Sequence, residues 1–383
     1  MRKTLPVLRI GDRLDAPVYW RPAGSRGPVL LMAAGQRIDS EQQLRRLREA
    51  GYSVELPSEP EASAATVLVP EPVRPVEIGG LSFRRRLNEA QELRQSVFRA
   101  AATLIDRLSA GITPDMDALK RAGLQLARAV SADPHAMATL THLQQCDDYT
   151  VGHSVDVSIL MTALAHVLGC PDSDLPTVAL AGLMHDVGKQ RVPDEILGKP
   201  GPLTREELAV VRRHPELGER ILAATTGAPE AVLAVVLQHH ERVDGSGYPF
   251  GCGRREMHPF SLIAAVADTF DALTADRVYR RGLSPRQALI ELYEEQQRFD
   301  DRVMAALIRL VGVYPVGTRV RLTTGETGVV IAPNPLDTTH PTVRLHRDPH
   351  GQLFEGALYT NPSDRGWQIA GEAPADAVGP AWE

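Results

Sequence analysis

Seven histidine and aspartate residues in the middle of the chain have the side-chain chemistry of metal ligands. Two of them are adjacent in "LMHDVGKQ", residues 183–190, at the end of an apolar run. A His-Asp pair by itself decides nothing, because it is also an ordinary polar step at a helix end. Partners occur in other segments, and the whole set is His153, His185, Asp186, His214, His239, His240 and Asp268.

The composition of this set favours a two-metal site of hard ions. Five imidazoles and two carboxylates exceed what one zinc ion needs, and no cysteine takes part. Mixed imidazole and carboxylate ligation suits iron or manganese. A carboxylate such as Asp186 can bridge two ions about 3.5–4 Å apart, as in phosphoryl chemistry. The alternatives are that His214 is a surface residue and that Asp268 is a polar group on its helix. At least one of His239 and His240 should face inward, because helical neighbours point about 100° apart.

Helices must position these side chains, and residues 135–311 have the pattern of one helix after another. Such a bundle can direct all the ligands into one cavity. The segment "LTREELAVVRRHPELGERIL" is predicted as a helix that opens with a Thr204-x-x-Glu207 capping box. Ser284 is predicted as the N-cap of "SPRQALIELYEEQ". If the helix that ends in "LMHDVGK" continues, Lys189 shares a face with His185.

The remaining chain divides into smaller segments, so the predicted fold class is mainly α. An all-helical bundle carries a small N-terminal α+β module, residues 1–57, which includes a predicted helix over 39–51. A Pro-rich linker, 58–80, and a helical connector, 81–134, lead to the main domain, 135–311. A small C-terminal β extension, 312–372, follows from the alternation in "TRVRLTTGETGVVI". A disordered tail, 373–383, ends the chain.

The connector has an apolar stripe at helical spacing between Leu81 and Leu108. The stripe consists of Ala90, Leu93, Val97, Ala101, Leu104 and Leu108. It could pair two protomers in a homodimer, or it could be buried within its own chain. The basic run Arg84-Arg85-Arg86 is predicted to be a solvated helix face.

Composition excludes several classes of protein. The net charge of −6 argues against a general nucleic-acid binder, so we expect no DNA partner. Three cysteines without CxxC spacing indicate a reducing compartment. No apolar run is long enough for a signal peptide or a membrane span, so we expect a cytoplasmic protein with no membrane association.

The segment "HHERVDGSGYPFG", residues 239–251, joins two histidines directly to a glycine-rich turn. Together with "GHSVDVS", "LMHDVGK", "HPELGERIL" and "VADTFDALTADRVYR", in this order and spacing, it resembles the HD-GYP domain. That family is a subgroup of the HD metal-dependent phosphohydrolases. The resemblance implies an all-helical HD-type fold and hydrolysis of cyclic di-GMP to pGpG, with onward hydrolysis to GMP left open.

Site roles follow from the resemblance, position by position. His153, His185, Asp186 and Asp268 resemble the ligands of one metal, and Asp186, as bridge, joins His214, His239 and His240 around the second. Asp186 and Lys189 are the predicted catalytic residues, and Lys189, Arg277 and Arg280 resemble the residues that contact substrate phosphates. Asp271 is interpreted as fixing its helix. The loop Gly245, Gly247, Tyr248 and Pro249 is associated with partner docking and site shape.

The implied cofactors are two divalent ions, iron or manganese, and the implied reaction uses a metal-bridging hydroxide. Some family members have Glu four residues before the first histidine, which adds a third metal, but here Tyr149 takes that position. Two alternatives stay open: another HD-type hydrolase of a related nucleotide, or a non-catalytic cyclic-dinucleotide sensor or docking module. A diguanylate cyclase (GGDEF) or another signalling protein is the partner that the loop suggests.

Overall fold

The computed structural model describes residues 18–20, 29–32, 79–109, 115–143, 149–225, 227–276, 281–360 and 366–374. The chain divides into two compact units. One takes residues 83–311, and the other takes residues 1–82 with 312–383. Most of the predicted connector therefore belongs to the same unit as the candidate ligands and does not form a separate segment. The domain borders drawn from the sequence stay predictions.

The larger unit consists of helices. They are α1 (Gly79–Ser109, whose first residues belong to the smaller unit), α2 (Met116–Ala132), α3 (Pro134–Leu143), α4 (Tyr149–Val167), α5 (Leu175–Met184), α6 (Asp194–Leu197), α7 (Arg205–Val211), α8 (His214–Ala223), α9 (Glu230–Gln238), α10 (Pro259–Thr274), α11 (Pro285–Glu294) and α12 (Asp301–Val311). Short 3-10 segments span Val187–Arg191 and Gln296–Arg298. The predicted mainly α fold class is confirmed.

Helix α4 forms the centre of this unit. It packs against α2, α3, α5, α10 and α12. Every residue from 151 to 165 is buried, as expected for a central helix with packing partners on all sides. The Ser158 hydroxyl donates a hydrogen bond to the Ala179 carbonyl of α5 at 2.5 Å. The central helix is therefore held rigidly, which matters because it carries His153.

Two predicted helix starts are confirmed, and one predicted helix is wrong in its continuity. Capping boxes join Thr204 to Glu207 at α7 and Ser284 to Gln287 at α11. The segment predicted as one helix over 203–222 is two helices, α7 and α8, separated at 212–213. Pro215 explains the break, because proline fits the first turn of a helix but not its interior. The break puts His214 at the first position of α8.

Helix α1 confirms the predicted helix over 81–108. Within the described side chains its buried apolar residues are Phe83, Leu87, Ala90, Val97 and Ala101. Leu93, which was assigned to the stripe, is only half-buried, and Leu104 and Leu108 have side chains outside the described part. The described part of the stripe is largely buried against its own chain, as the second alternative expects, and the pairing of two protomers stays a prediction. Residues 84–86 are exposed, as predicted.

The smaller unit is formed by β-structure among its described residues. Strand β1 (Val18–Trp20) pairs antiparallel with β2 (Val29–Met32). The second sheet has the order β6-β5-β4-β3-β7, with β3 (Arg319–Leu322), β4 (Thr327–Ala332), β5 (Thr342–Arg347), β6 (Leu353–Tyr359) and β7 (Ile369–Glu372). Its core is Tyr314, Val320, Leu322, Val330, Val343, Leu345, Trp367 and Ile369. The predicted β extension is thus present.

Several predictions concern residues that the structure does not describe. They are the helix over 39–51, the linker 58–80 apart from its last two residues, and the tail 373–383 apart from its first two. Ala373, assigned to the tail, instead donates its backbone N–H to the Arg319 carbonyl at 3.0 Å. In the described chain, every helix is too short or too polar to cross a bilayer.

Candidate metal centre

The seven predicted ligands come together in two adjoining groups. One group contains Asp186, His214, His239 and His240, and the other contains His153, His185 and Asp268. Within each group the ligand atoms lie within 4.8 Å of one another. Except for His240, whose side chain is 19% exposed, all seven residues are buried. His214 and Asp268 are therefore part of the cluster, and neither is a surface residue.

Most of these ligands lie at helix ends. His185 and His239 are the C-caps of α5 and α9, and His214 begins α8. The chain places polar side chains there because α5 and α9 are apolar helices whose interior positions face the core. His153 and Asp268 lie within α4 and α10.

The shared helical face of Lys189 and His185 was expected only if the helix continued, and the helix does not continue. Helix α5 ends at Met184, so Lys189 does not share a helical face with His185. Instead, the 3-10 segment Val187–Arg191 turns the chain back, and Lys189 Nζ contacts Asp186 Oδ2. Gly188 allows this turn, because a Cβ there would lie 1.9 Å from the His214 carbonyl oxygen. The lysine is thus held directly beside the Asp186 carboxylate.

Hydrogen bonds fix the tautomer and the direction of four imidazoles. The Nδ1 atoms of His185, His214 and His239 donate to the carbonyl oxygens of Gly182, Val211 and Val236 at 2.8–2.9 Å. His153 Nδ1 donates to Asp271 Oδ2 at 2.6 Å. With Nδ1 engaged in this way, each Nε2 is the ring atom that points into the cluster, which is the usual arrangement around a metal.

The Nε2 atoms face one another and the carboxylates across short distances. His214 Nε2 lies 3.1 Å from His239 Nε2 and 3.2 Å from Asp186 Oδ1. His153 Nε2 lies 3.1 Å from Asp268 Oδ1. His185 Nε2 and Asp186 Oδ1 are buried and lack a partner with hydrogen-bond geometry in the described structure. Buried polar atoms of this kind need a ligand, and divalent ions fit a set of Nε2 and carboxylate donors.

Protonation states in the group of Asp186, His214, His239 and His240 suit metal binding. Burial lowers the pKa of His239 to about 4, and burial with the neighbouring His239 holds the pKa of His240 well below its usual range. Burial opposes ionisation of Asp186, but the charges of Lys189 and His185 hold its pKa well below the usual value. Neutral imidazoles and an ionised carboxylate are the states that bind metal.

In the group of His153, His185 and Asp268, the protonation of His153 differs from that of His239 and His240. Burial by itself would lower the pKa of His153, but hydrogen bonds to Asp268 and Asp271 raise it well above 6.5. Burial likewise opposes ionisation of Asp268, and its hydrogen bond to His153 holds its pKa well below 3.8. Metal binding at this group therefore has to displace a proton.

Comparison with known proteins places the chain in a family. The family model described as HD domain matches residues 126–303. A cyclic di-GMP phosphodiesterase of Pseudomonas aeruginosa is 36% identical over 370 residues, which cover 90% of this chain and 85% of that protein. The cyclic di-GMP phosphodiesterase response regulator RpfG of Xanthomonas campestris pv. campestris is 33% identical, with 80% of each chain covered. This chain belongs to the HD-GYP family.

A third relative is similar over a shorter stretch. The 3'3'-cGAMP-specific phosphodiesterase 3 of Vibrio cholerae is 36% identical over 169 residues, which cover 44% of this chain and 36% of that protein. The HD domain and the donor set together establish a divalent metal site.

The HD-GYP loop folds back onto the metal centre. Tyr248 stacks on His240, with ring centroids 4.6 Å apart and planes 26° apart, and the Arg212 guanidinium lies over the Tyr248 ring, 5.2 Å from its centroid. Fully buried Glu241 accepts hydrogen bonds from the backbone N–H groups of Phe250 and Cys252. Gly247 permits the close approach, because a Cβ there would lie 2.4 Å from the Glu241 Cα atom. The loop therefore clamps the ring of His240.

Sequence reasoning missed one residue that orients a ligand, and three further predicted residues concern parts of the chain outside the described structure. Asp271 was interpreted as fixing its helix, whereas it accepts the Nδ1–H of His153. Its position three residues after Asp268, on the same helical face, was the available signal. Arg277 and Arg280 lie outside the described residues, and so does the side chain of Tyr149.

Proposed function

We propose that this HD-GYP protein is a metal-dependent phosphodiesterase that hydrolyses cyclic di-GMP to pGpG. The single observation that carries the proposal is the convergence of all seven ligands into two adjoining groups. The names of the two relatives with long alignments support the substrate. We further propose two ions, iron or manganese, one for each group, with Asp186 between them.

Divalent ions, when bound, lower the pKa of water and neutralise charge on phosphoryl oxygens. The protein's part is to hold and orient. Carbonyl and carboxylate partners fix the imidazoles, and burial of the cluster strengthens every electrostatic interaction within it. Lys189, held against Asp186, presents an ammonium that can contact a substrate phosphate or protonate the leaving oxygen.

The test is chromatography of the nucleotides after incubating Mn²⁺-loaded protein with cyclic di-GMP. We expect pGpG to appear, and Asp186→Asn to abolish turnover and to lower bound metal, because it removes the bridging charge. Asp117→Asn, an exposed residue of α2, is the matched control and should behave as the wild type. Wild-type turnover and metal content in Asp186→Asn would contradict the site.

Substrate phosphates are proposed to be gripped by Arg277 and Arg280. Each charge-assisted contact contributes about 1.5–3 kcal/mol, so each Arg→Ala variant should raise KM by about tenfold or more. Metal content, measured by elemental analysis, should stay at the wild-type level. An unchanged KM in both variants would remove these residues from the substrate pocket.

The second candidate is hydrolysis of a related cyclic dinucleotide, favoured by the similarity to a 3'3'-cGAMP-specific enzyme. Parallel assays with cyclic di-GMP and 3'3'-cGAMP decide between them through the ratio of kcat/KM. Docking to a diguanylate cyclase stays a prediction, and the exposure of Phe250 at the loop, 62%, supports it.

A further inference from the structure

A single charged residue interrupts the buried stripe of helix α1. The buried residues of this stripe are Phe83, Leu87, Ala90, Arg94, Val97 and Ala101. They are spaced alternately by four and three residues, which is the spacing of a continuous helix-packing seam. Arg94, in the middle of the seam, is only 3% exposed.

Arg94 forms a two-pronged ion pair with helix α4. Its Nε atom donates to Asp156 Oδ1 at 2.8 Å, and its NH2 group donates to Oδ2 at 2.7 Å. Asp156 is also buried, and it is the only Asp, Glu, Lys or Arg in α4. The geometry is that of a planar guanidinium matched to a carboxylate, which specifies direction as well as charge.

The ion pair lies near the group of His153, His185 and Asp268. Asp156 follows His153 by three residues, so the two side chains share a face and lie about 4.5 Å apart along the helix axis. His153 is held on its other side by Asp271. One turn of α4 therefore joins the ion pair to a metal ligand.

Stability alone is a poor explanation for this pair. Burial raises the pKa of Asp156 to about 7 although Arg94 hydrogen-bonds both oxygens, and the charge of Asp271 adds to the rise. Apolar residues surround the ion pair in the seam, and replacing a buried ion pair by an apolar pair is often neutral or stabilising. The best-attested use of a polar group in such a seam is to fix register.

We propose that Arg94 is a positioning residue of the metal centre, whose ion pair with Asp156 fixes the register of α1 against α4 one turn from His153. A shift of α1 by one turn would replace Arg94 by an apolar residue of the seam, Ala90 or Val97, and leave a buried carboxylate unpaired. The placement of α1 is thereby linked to the placement of a metal ligand. This inference rests on the metal centre proposed above.

The experiment is Mn²⁺ titration of the full chain, with the number of ions and their affinity as readouts. The exchange-coupled signal of a Mn²⁺ pair in electron paramagnetic resonance is a third readout, which a merely structural role would leave unchanged in folded protein. We expect Arg94→Met to lower Mn²⁺ affinity by about tenfold or more and to weaken the coupled signal, as loss of a supporting residue does. Arg94→Lys keeps the charge without the fork and should lower affinity less. Arg85→Met, on the exposed face of the same helix, should equal the wild type.

A double variant keeps the test decisive if Arg94→Met does not fold. Arg94→Met with Asp156→Leu removes both charges of this ion pair together, so it should fold, yet keep the lowered Mn²⁺ affinity. Wild-type affinity and coupling in the double variant would overturn the positioning role. Absence of Mn²⁺ binding in the wild type would instead refute the proposed metal centre itself.

Discussion

The metal centre and the core of the C-terminal sheet are both buried, but they differ in the chemistry of the side chains that they bury. The sheet core is apolar, and His340 beside it makes hydrogen bonds through both ring nitrogens, one to the Trp367 carbonyl at 3.1 Å. The metal centre packs five imidazoles with neighbouring ring centroids 4.1–5.2 Å apart, and among the described residues His185 Nε2 and Asp186 Oδ1 have no partner with hydrogen-bond geometry. One region buries apolar side chains against one another, whereas the other buries nitrogen and oxygen atoms that suit a bound cation.

The two regions should therefore respond to substitution in different measurements, one in folding stability and the other in metal affinity. In the sheet, removal of a large side chain loses packing energy and leaves a cavity. In the metal centre, loss of a ligand or of its hydrogen-bonding partner is expected to lower metal affinity, because it removes a donor atom or the group that orients one.

The largest effect on stability is expected from Trp367→Ala. Trp367 is 1% exposed in the sheet core, and its truncation should lower the free energy of unfolding of the smaller unit by about 3–5 kcal/mol. Mn²⁺ affinity should not change. Chemical denaturation with Mn²⁺ titration measures both, and Leu336→Ala, at a site 98% exposed, should stay within about 0.5 kcal/mol of the wild type. A tenfold loss of Mn²⁺ affinity in Trp367→Ala would break the contrast between the two regions.

A smaller effect is expected from Asp271→Asn, and it falls on metal affinity and not on folding stability. Asp271 accepts the Nδ1–H of His153 at 2.6 Å, so the amide removes the charge that orients this imidazole. Metal affinity should fall about 10–100-fold, which is about 1.4–2.7 kcal/mol, with little change in unfolding. Asp172→Asn, an exposed residue, is the control. If Asp271→Asn unfolds more readily but binds Mn²⁺ normally, the residue only fixes its helix, as the sequence suggested.

Much of the site could be predicted because its motifs are local. His185-Asp186 and His239-His240 stand beside turn residues, and the cap of α11 needs only Ser284 and Gln287. What failed was continuity. The break at 212–213 follows from Pro215, which fits the first turn of α8 but not a helix interior, whereas the close approach of Gly188 to the His214 carbonyl is a tertiary contact without a sequence period.

Arg94 was missed for a related reason. Hydrophobic periodicity assigns a charged residue to the solvated face, so Leu93 was put into the stripe and Arg94 was left out. The true seam differs by one residue, and it is fixed by Asp156, 62 positions away in the chain. A pattern that depends on such a distant partner cannot be recognised from one helix alone.

The smallest effect is expected at Tyr149, the first residue of α4. Positions 149 and 153 are separated by only about 40° around a helix, so a hard ligand at 149 could reach a metal beside His153. A phenol with a pKa near 10 is a poor ligand at neutral pH, so Tyr149→Phe should retain two ions per chain, and turnover should change by no more than about 0.5 kcal/mol in activation free energy. Tyr149→Glu supplies a carboxylate at the same place and should bind a third ion. Elemental analysis of anaerobically purified protein measures both. Three ions in the wild type, one of them lost in Tyr149→Phe, would make Tyr149 a ligand and refute the two-metal centre.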